Sequence, residues 1–359
     1  MNLKVNIWFI YFITKIVYIF LALFVYKNMI PFLGDTEGYL SAEPFTLNGH
    51  QLNSTGIMYF LGGTFSFFFG KIFANIPFAI ISFYGVFYPI KKINLSKNQL
   101  IFLLFLLSFP NFGIWSSIAS KEAVMVFAMG LILGCMIELI KGNSPNYLVL
   151  FIGVILCYLF KFQYLVGIGF ALLFIIFHNK LRLKSNESLF FLIFIILSSL
   201  FFLFIFKADI NKLSLQIPNH FSIEAGSTRE NTFFLEDYDV FKNSLKGMLI
   251  GFIGPTLNEA LNKSTHLVVF LESMIIISLF LFSSIKLLAT SNIFRKFNIY
   301  YFGIFFIILF WLLFTHYPMS ILNPGSAIRY RQGFYSFLVI LYYFLYISAM
   351  RSFYKLKIK

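Results

Sequence analysis

Apolar runs close to 20 residues long recur from one end of the chain to the other, and the short segments between them carry nearly all of the charge. A helix rising 1.5 Å per residue needs about 20 such residues to cross roughly 30 Å of hydrocarbon. The pattern predicts an all-α, polytopic membrane helix bundle with about ten transmembrane helices, at 7–26, 72–90, 99–118, 122–140, 147–160, 162–178, 188–206, 267–287, 298–316 and 333–350. Helices rather than barrel strands are expected, because a lipid-exposed backbone must satisfy its own hydrogen bonds and the short alternating segments of a barrel are absent. The first run, Ile7 to Tyr26, has no small-residue cleavage site and exceeds a signal core, so it reads as a retained span. Lys161-Phe162-Gln163 interrupts the apolar stretch 147–177, which fits one long tilted helix or a tight hairpin; the hairpin is read because it preserves the charge alternation.

Two shorter apolar pieces do not fit a simple crossing. Gly56 to Gly70, rich in Gly and Phe, reads as a membrane-dipping helix ahead of the second span, and Met248 to Leu257 as an interfacial or re-entrant piece. No heptad, internal repeat, inverted repeat or soluble domain interrupts the pattern, so residues 1–359 form a single transmembrane domain. Two longer hydrophilic loops project from it, at 31–54 and 207–266. Loops of that length are usually functional or disordered.

Composition agrees: 59% of the 359 residues are hydrophobic and 12% charged, with mean hydropathy +0.84. The net charge of +14 is spread over many short loops, which fits the positive-inside rule and argues against nucleic acid as partner. With both termini cytoplasmic, the inward segments 91–98, 141–146, 179–187, 288–297 and 351–359, with Lys4 and Lys286, hold 15 of the 28 Lys and Arg residues. Of the 14 acidic residues, only Glu187 lies in these segments and Glu138 near the inward end of a span. The remaining carboxylates gather on the outward side. Cys135 and Cys157 lie inside apolar runs and read as small packing residues.

Charged groups at membrane level are costly and mark functional candidates. GDTEGYL places Asp35 and Glu37 just beyond the first span, where a carboxylate can act as general base or hold a divalent cation against a phosphate; a merely solvated acidic loop is the competing reading. FPNFGIWSSIASKEA joins the third and fourth spans almost without a loop. Pro110 is expected to kink the third helix and Ser117 or Ser120 to cap the next, which starts with Lys121 and Glu122. A lysine opposes the dipole at a helix N-terminus, so Lys121 reads either as facing an anion such as a lipid phosphate or as snorkelling. NPGSAIRYRQGF brings Arg329 and Arg331 to the outward side, where a guanidinium fork suits phosphate oxygens or pairs with loop carboxylates. The pair would share a side only in an extended backbone. Lys161 and Arg229 are further outward cations, while Lys15 and Glu272 are expected to pair with buried groups. His50, His220, His266 and His316 show no metal-ligand spacing, and no nucleotide-binding or serine-hydrolase motif occurs.

Taken together, GDTEGYL after the first helix, FPNFGIWSSIASKEA between the third and fourth, and RYR entering a late helix resemble the GT-C-type glycosyltransferases that use polyprenyl-linked sugars. Among these the chain is most similar to the polymerase-like membrane proteins of bacterial polysaccharide clusters. The resemblance covers roughly 1–170 and, more loosely, 320–350. It departs from many members in having GDTEGY rather than an aspartate pair.

The resemblance implies a GT-C-like bundle and an O-antigen or capsule repeat-unit polymerase in polysaccharide and lipopolysaccharide biosynthesis. It would work on polyprenyl-diphosphate-linked oligosaccharide at the outer face of the bacterial inner (plasma) membrane, beside other polysaccharide-assembly proteins. It places the catalytic or metal-associated carboxylate on Asp35, with Glu37 beside it, and the lipid phosphate on Arg329 and Arg331. No soluble cofactor is required; a divalent cation is compatible. Alternatives are a GT-C transferase adding one sugar from a polyprenyl monophosphate, a lipid-linked oligosaccharide flippase or transporter, and a non-catalytic assembly subunit. A flippase should carry polar groups through the middle of several helices, whereas here charge concentrates at one mouth.

Overall fold

The computed structural model describes residues 3–26, 33–221, 228–290 and 299–357. The chain is 81% helix, and among the described residues there is no strand. Among the described residues eight helices are long and apolar enough to cross a membrane. Two compact units are present: Met1–Phe162 with Gln332–Ile340, and Gln163–Arg331 with Leu341–Lys359.

The first unit contains α1 (Leu3–Phe20, prolonged by a π-helical turn Leu21–Tyr26), α2 (Thr36–Leu40), α3 (Ser54–Phe73), α4 (Ile76–Lys91), α5 (Lys97–Leu106), α6 (Pro110–Trp115), α7 (Lys121–Ile140) and α8 (Tyr147–Lys161). At its centre stands α7, 83% buried along its apolar window. It packs against α4 where Gly130 meets Gly85, so closely that a Cβ on Gly130 would collide with the Gly85 carbonyl. Between apolar helices such small-residue contacts replace a hydrophobic drive with backbone-to-backbone packing. Helix α8 returns antiparallel along α7 after a short loop, with Gly153 against Ala128 to Ile132.

The two ends of this unit differ in chemistry. At one end Lys4 donates to the Leu95 carbonyl at 3.1 Å and Lys92 stands 3.8 Å from Glu138, with Lys141 donating to the Lys92 carbonyl. The other end carries the acidic turn described below. Although α3 is long enough to cross, both of its ends are tied to that second end. Thr55 meets Lys121, and Asn75, just past the helix, accepts from the Ala119 N–H at 2.8 Å. A straight run from Ser54 to Gly70 covers about 24 Å, and Gly70 then kinks the helix with φ +72°. Helix α3 therefore lies along one end of the unit, with Phe67, Phe68 and Phe73 exposed as an apolar face. Its other face carries the 39–46 backbone. A Cβ on Gly62 would come within 2.6 Å of the Tyr39 carbonyl, and one on Gly63 within 2.8 Å of those of Ala42 and Glu43.

The expected third span, 99–118, is not one helix. Phe109, extended because it precedes a proline, stops the chain (φ −60°, ψ 141°), and Pro110 opens the one-and-a-half turns of α6. The expected kink is thus a full interruption, followed by five residues without helix before α7. At Lys161 the chain passes from α8 to α9 through Phe162 alone, whose own angles are helical (φ −54°, ψ −31°). The lysine is thus the last residue of α8.

The second unit comprises α9 (Gln163–Leu181), α10 (Ser185–Ile205), α11 (Lys207–Gln216), α12 (Asp239–Lys242), α13 (Ser244–Ile253), α14 (Leu257–Asn262), α15 (Ser264–Thr290), α16 (Ile299–Ile321) and most of α17 (Pro324–Lys357). The apolar piece Met248 to Leu257 supplies the short α13, which buries Met248 and Phe252 and packs against α16. Cys135 and Cys157 are both buried free thiols, as packing residues should be.

The α4–α7 contact gives a direct test. Gly130→Ala forces backbone against backbone and should cost about 1–3 kcal/mol, whereas Gly169→Ala, with nothing within 4 Å of the added carbon, should be neutral or stabilising by up to about 1 kcal/mol. Thermal melts in detergent should show the first lowered by several degrees and the second unchanged or raised.

Candidate functional site

The acidic turn is built by a simple alternation. Asp35 and Glu37 are exposed, while Thr36, Tyr39 and Leu40 are buried against the unit. The one-turn helix α2 places Tyr39 four residues after Asp35, so that its hydroxyl donates to Asp35 Oδ2 at 3.1 Å. Thr36 turns the other way and donates to the Ala119 carbonyl at 3.0 Å. That bond joins GDTEGYL to FPNFGIWSSIASKEA, two motifs more than 80 residues apart. Two residues beyond Ala119 stands Lys121, half-buried, whose Nζ donates to Thr55 Oγ1 at 2.7 Å. Ser120, one of the two expected caps, accepts from the Ala123 N–H at 3.1 Å, and Glu122 is buried in the first turn of α7. Because α8 runs antiparallel to α7 with Gly153 level with Ala128 to Ile132, Lys161 comes level with that first turn. Asp35, Glu37, Lys121, Glu122 and Lys161 thus gather at one end of the first unit.

What holds this end together is polar and deeply buried. Lys15, expected to pair with a buried group, lies 2% exposed in α1 and donates to Ser116 Oγ at 2.7 Å, the Ser116 carbonyl at 3.3 Å and Ser82 Oγ at 3.0 Å. Its ammonium also lies 5.4 Å from the Phe112 ring centre. Ser82 donates to the Ser116 carbonyl, and Ser120 to that of Trp115.

The arginines of the second unit divide by role. Arg229 grips Glu259 through two bonds of 2.7 and 2.6 Å and also donates to the carbonyls of Ile321 and Gly254 at 2.8 and 2.7 Å. Its own N–H reaches the Leu322 carbonyl at 2.7 Å. Burial pushes the Glu259 carboxyl up, but the bonds and charge of Arg229, with the Thr256 N–H, outweigh it and hold the group down to about 2. Arg331 is 2% exposed, and its Nη1 donates to the Phe252 carbonyl and to Ser273 Oγ, each at 2.5 Å. Both guanidiniums therefore serve carbonyls at the C-terminal end of α13. Both were expected at the lipid phosphate, and both are engaged at this helix end.

Arg329 and Arg331 also cannot act together. Both lie in α17, where residues two apart point about 200° apart, so the extended backbone that joint chelation needs is absent. Arg329 is half-buried, with its guanidinium over the Tyr330 ring at 5.5 Å. Tyr330 in turn lines a cavity of about 450 Å³ with Leu213, Gln216, Ile217, His220, Phe221 and Met319.

Several contributing residues carried no sequence signal. Tyr39 could have been found from its i, i+4 spacing to Asp35. Thr36, Thr55, Tyr59 and Asn75 could not, because ordinary polar residues in or beside apolar runs become significant only through long-range contacts.

No family model, no curated protein and no solved structure matches this chain.

The Arg229 clamp predicts a defined pH dependence. A carboxyl held below its ordinary 4.5 contributes stability that is complete above that pH and lost as the pH falls toward about 2. Glu259→Gln should therefore melt several degrees below wild type at neutral pH, and the two curves should converge as the pH approaches 2. Arg229→Lys should recover only part of the difference, since an ammonium lacks the fork.

Proposed function

We propose that this protein transfers glycosyl groups on polyprenyl-(di)phosphate-linked glycans at the outer face of a bacterial inner membrane, as an O-antigen or capsule repeat-unit polymerase. The observation that carries the reading is the Thr36–Ala119 bond, which sets an exposed carboxylate pair beside the lysine at the start of α7. In sequence these groups belong to separate motifs. In space they lie at the same end of the first unit, which supports reading them as a base and a cation of one site.

The chemistry follows from that pairing. The acceptor hydroxyl oxygen attacks the anomeric carbon while the bond from that carbon to the diphosphate oxygen breaks. The hydroxyl proton passes to Asp35, whose acceptor geometry Tyr39 fixes. Negative charge develops on the departing polyprenyl diphosphate, and Lys121 is placed to neutralise it. Of the arginines, Arg329 beside the cavity suits the lipid, while Arg229 and Arg331 support the fold. The donor's diphosphate linkage supplies the driving force without a soluble cofactor, and a divalent cation between Asp35 and the diphosphate is compatible with the same site.

The membrane arrangement we read is GT-C-like, with ten crossings: α1, α4, the broken pair α5 and α6, α7 to α10, and α15 to α17. Both termini are cytoplasmic, and α3 lies along the outer surface. The basic end formed by Lys4, Lys92 and Lys141 then faces the cytoplasm, as the positive-inside rule requires.

Complementation of a null strain tests the chemistry, with glycan length read on a gel and membrane abundance checked. Asp35→Asn should reduce turnover by about 10²–10⁴-fold and leave single repeat units, Lys121→Ala should shorten chains severely, and Lys91→Ala should leave them unchanged. Wild-type lengths from Asp35→Asn would remove the carboxylate from the mechanism. Reporter fusions after residues 45 and 235 should read outward, and those after 95 and 183 cytoplasmic.

A further inference from the structure

Helix α3 and the loop before it carry a second feature at the same end of the first unit. The His50 imidazole and the Tyr59 ring lie face to face, 4.9 Å apart and within 7° of parallel. His50 is exposed and Tyr59 half-buried. Tyr59 also meets the Tyr39 ring edge-on at 5.2 Å, and its hydroxyl lies 3.4 Å from where a Cβ on Gly38 would stand, inside the acidic turn. A flat aromatic stack is thereby locked against the residue that hydrogen-bonds Asp35. Thr55, one helical turn before Tyr59, holds Lys121 on the same stretch of helix. Asn48 and Gln51, on either side of His50 in sequence, are exposed neutral hydrogen-bonding side chains.

We propose that the His50–Tyr59 stack is a sugar subsite that takes one pyranose ring of the glycan, a role that rests on the glycosyl-transfer reading above. A pyranose presents a face of polarised C–H groups, which the negative face of an aromatic ring attracts, and a rim of hydroxyls, which carboxylates and amides accept from or donate to. The stack supplies the first and Asp35, Glu37, Asn48 and Gln51 the second. Nucleotides also stack on aromatics, but their phosphates would meet the two exposed carboxylates. A neutral ring rich in hydroxyls suits this surface. With Tyr39 as the one ring between the stack and Asp35, a sugar resting there brings a hydroxyl toward the carboxylate, so His50 and Tyr59 orient the acceptor while Asp35 takes its proton.

The test is saturation-transfer NMR on the full chain in nanodiscs, with a panel of methyl pyranosides as probes and adenosine monophosphate as a competing stacker. At least one pyranoside should receive saturation from wild type. Tyr59→Phe, which keeps the ring, should retain the signal, whereas Tyr59→Leu and His50→Ala should each lower it several-fold; His50 is exposed, so its removal should leave the melting temperature unchanged. No signal from any pyranoside, full signal in His50→Ala and Tyr59→Leu, or saturation of the nucleotide alone would overturn the subsite. Glycan length in Asp35→Asn separates the two ideas. Normal chains there with stack-dependent sugar binding would leave the subsite standing and remove the transfer reading, and blocked chains with stack-independent binding would do the reverse.

Discussion

A backbone that leaves its helix inside apolar surroundings must find partners for every exposed N–H and C=O, and the segment from Leu107 to Ser120 leaves its helix twice. The bonds that compensate come from side chains on other elements. Lys15 and Ser82 take the Ser116 carbonyl, Asn75 takes the Ala119 N–H, and Thr36 takes the Ala119 carbonyl. An unpaired buried backbone group costs several kcal/mol in hydrocarbon, so these contacts dictate where α1, α4 and the acidic turn sit around the segment. The position of Asp35 beside Lys121 is a consequence of that satisfaction. Lys15 matters here as a donor to oxygens, with aromatic faces of Tyr11 and Phe112 completing its surroundings.

The same constraint shapes the second unit with different residues. Helix α13 ends at Gly254, and its last carbonyls point where no further turn follows. Arg331 and Arg229 supply the donors, the first to Phe252 and the second to Gly254, and Glu259 balances the charge of the second. A guanidinium suits this work because its five donors are spread in a rigid fork and can serve several acceptors at once. Two of the three arginines expected at a phosphate thus hold a helix end. Arg329 lies with its guanidinium over Tyr330, a residue of the cavity wall.

Much of the candidate site was legible because acids, lysines and prolines near apolar runs are rare enough to stand out. Asp35, Glu37, Lys121 and Glu122 were all marked that way, and Ser120 by its position before an apolar run. Tyr39 and Tyr59 were hidden among 75 aromatic residues, where one tyrosine looks like another. For the arginine pair the sequence left the backbone open, since spacing by two gives a shared side only in extended chain, and Pro324 starts a helix that reaches both residues.

By itself the sequence determined that this chain is helical and suited to a membrane, since run length and hydropathy depend only on the local order of residues and the thickness of hydrocarbon. It also marked the helix interruption at Pro110, because a proline ring acts through its own covalent geometry. The sequence set Gly56 to Gly70 apart from the full crossings, but only the tertiary structure decided how α3 lies against the first unit, because both of its ends are tied to Ala119 and Lys121. It alone decided which cations cap helices and which face the acidic turn. Those outcomes rest on hydrogen bonds between residues dozens of positions apart, and no local pattern encodes which distant partner a buried polar group will find.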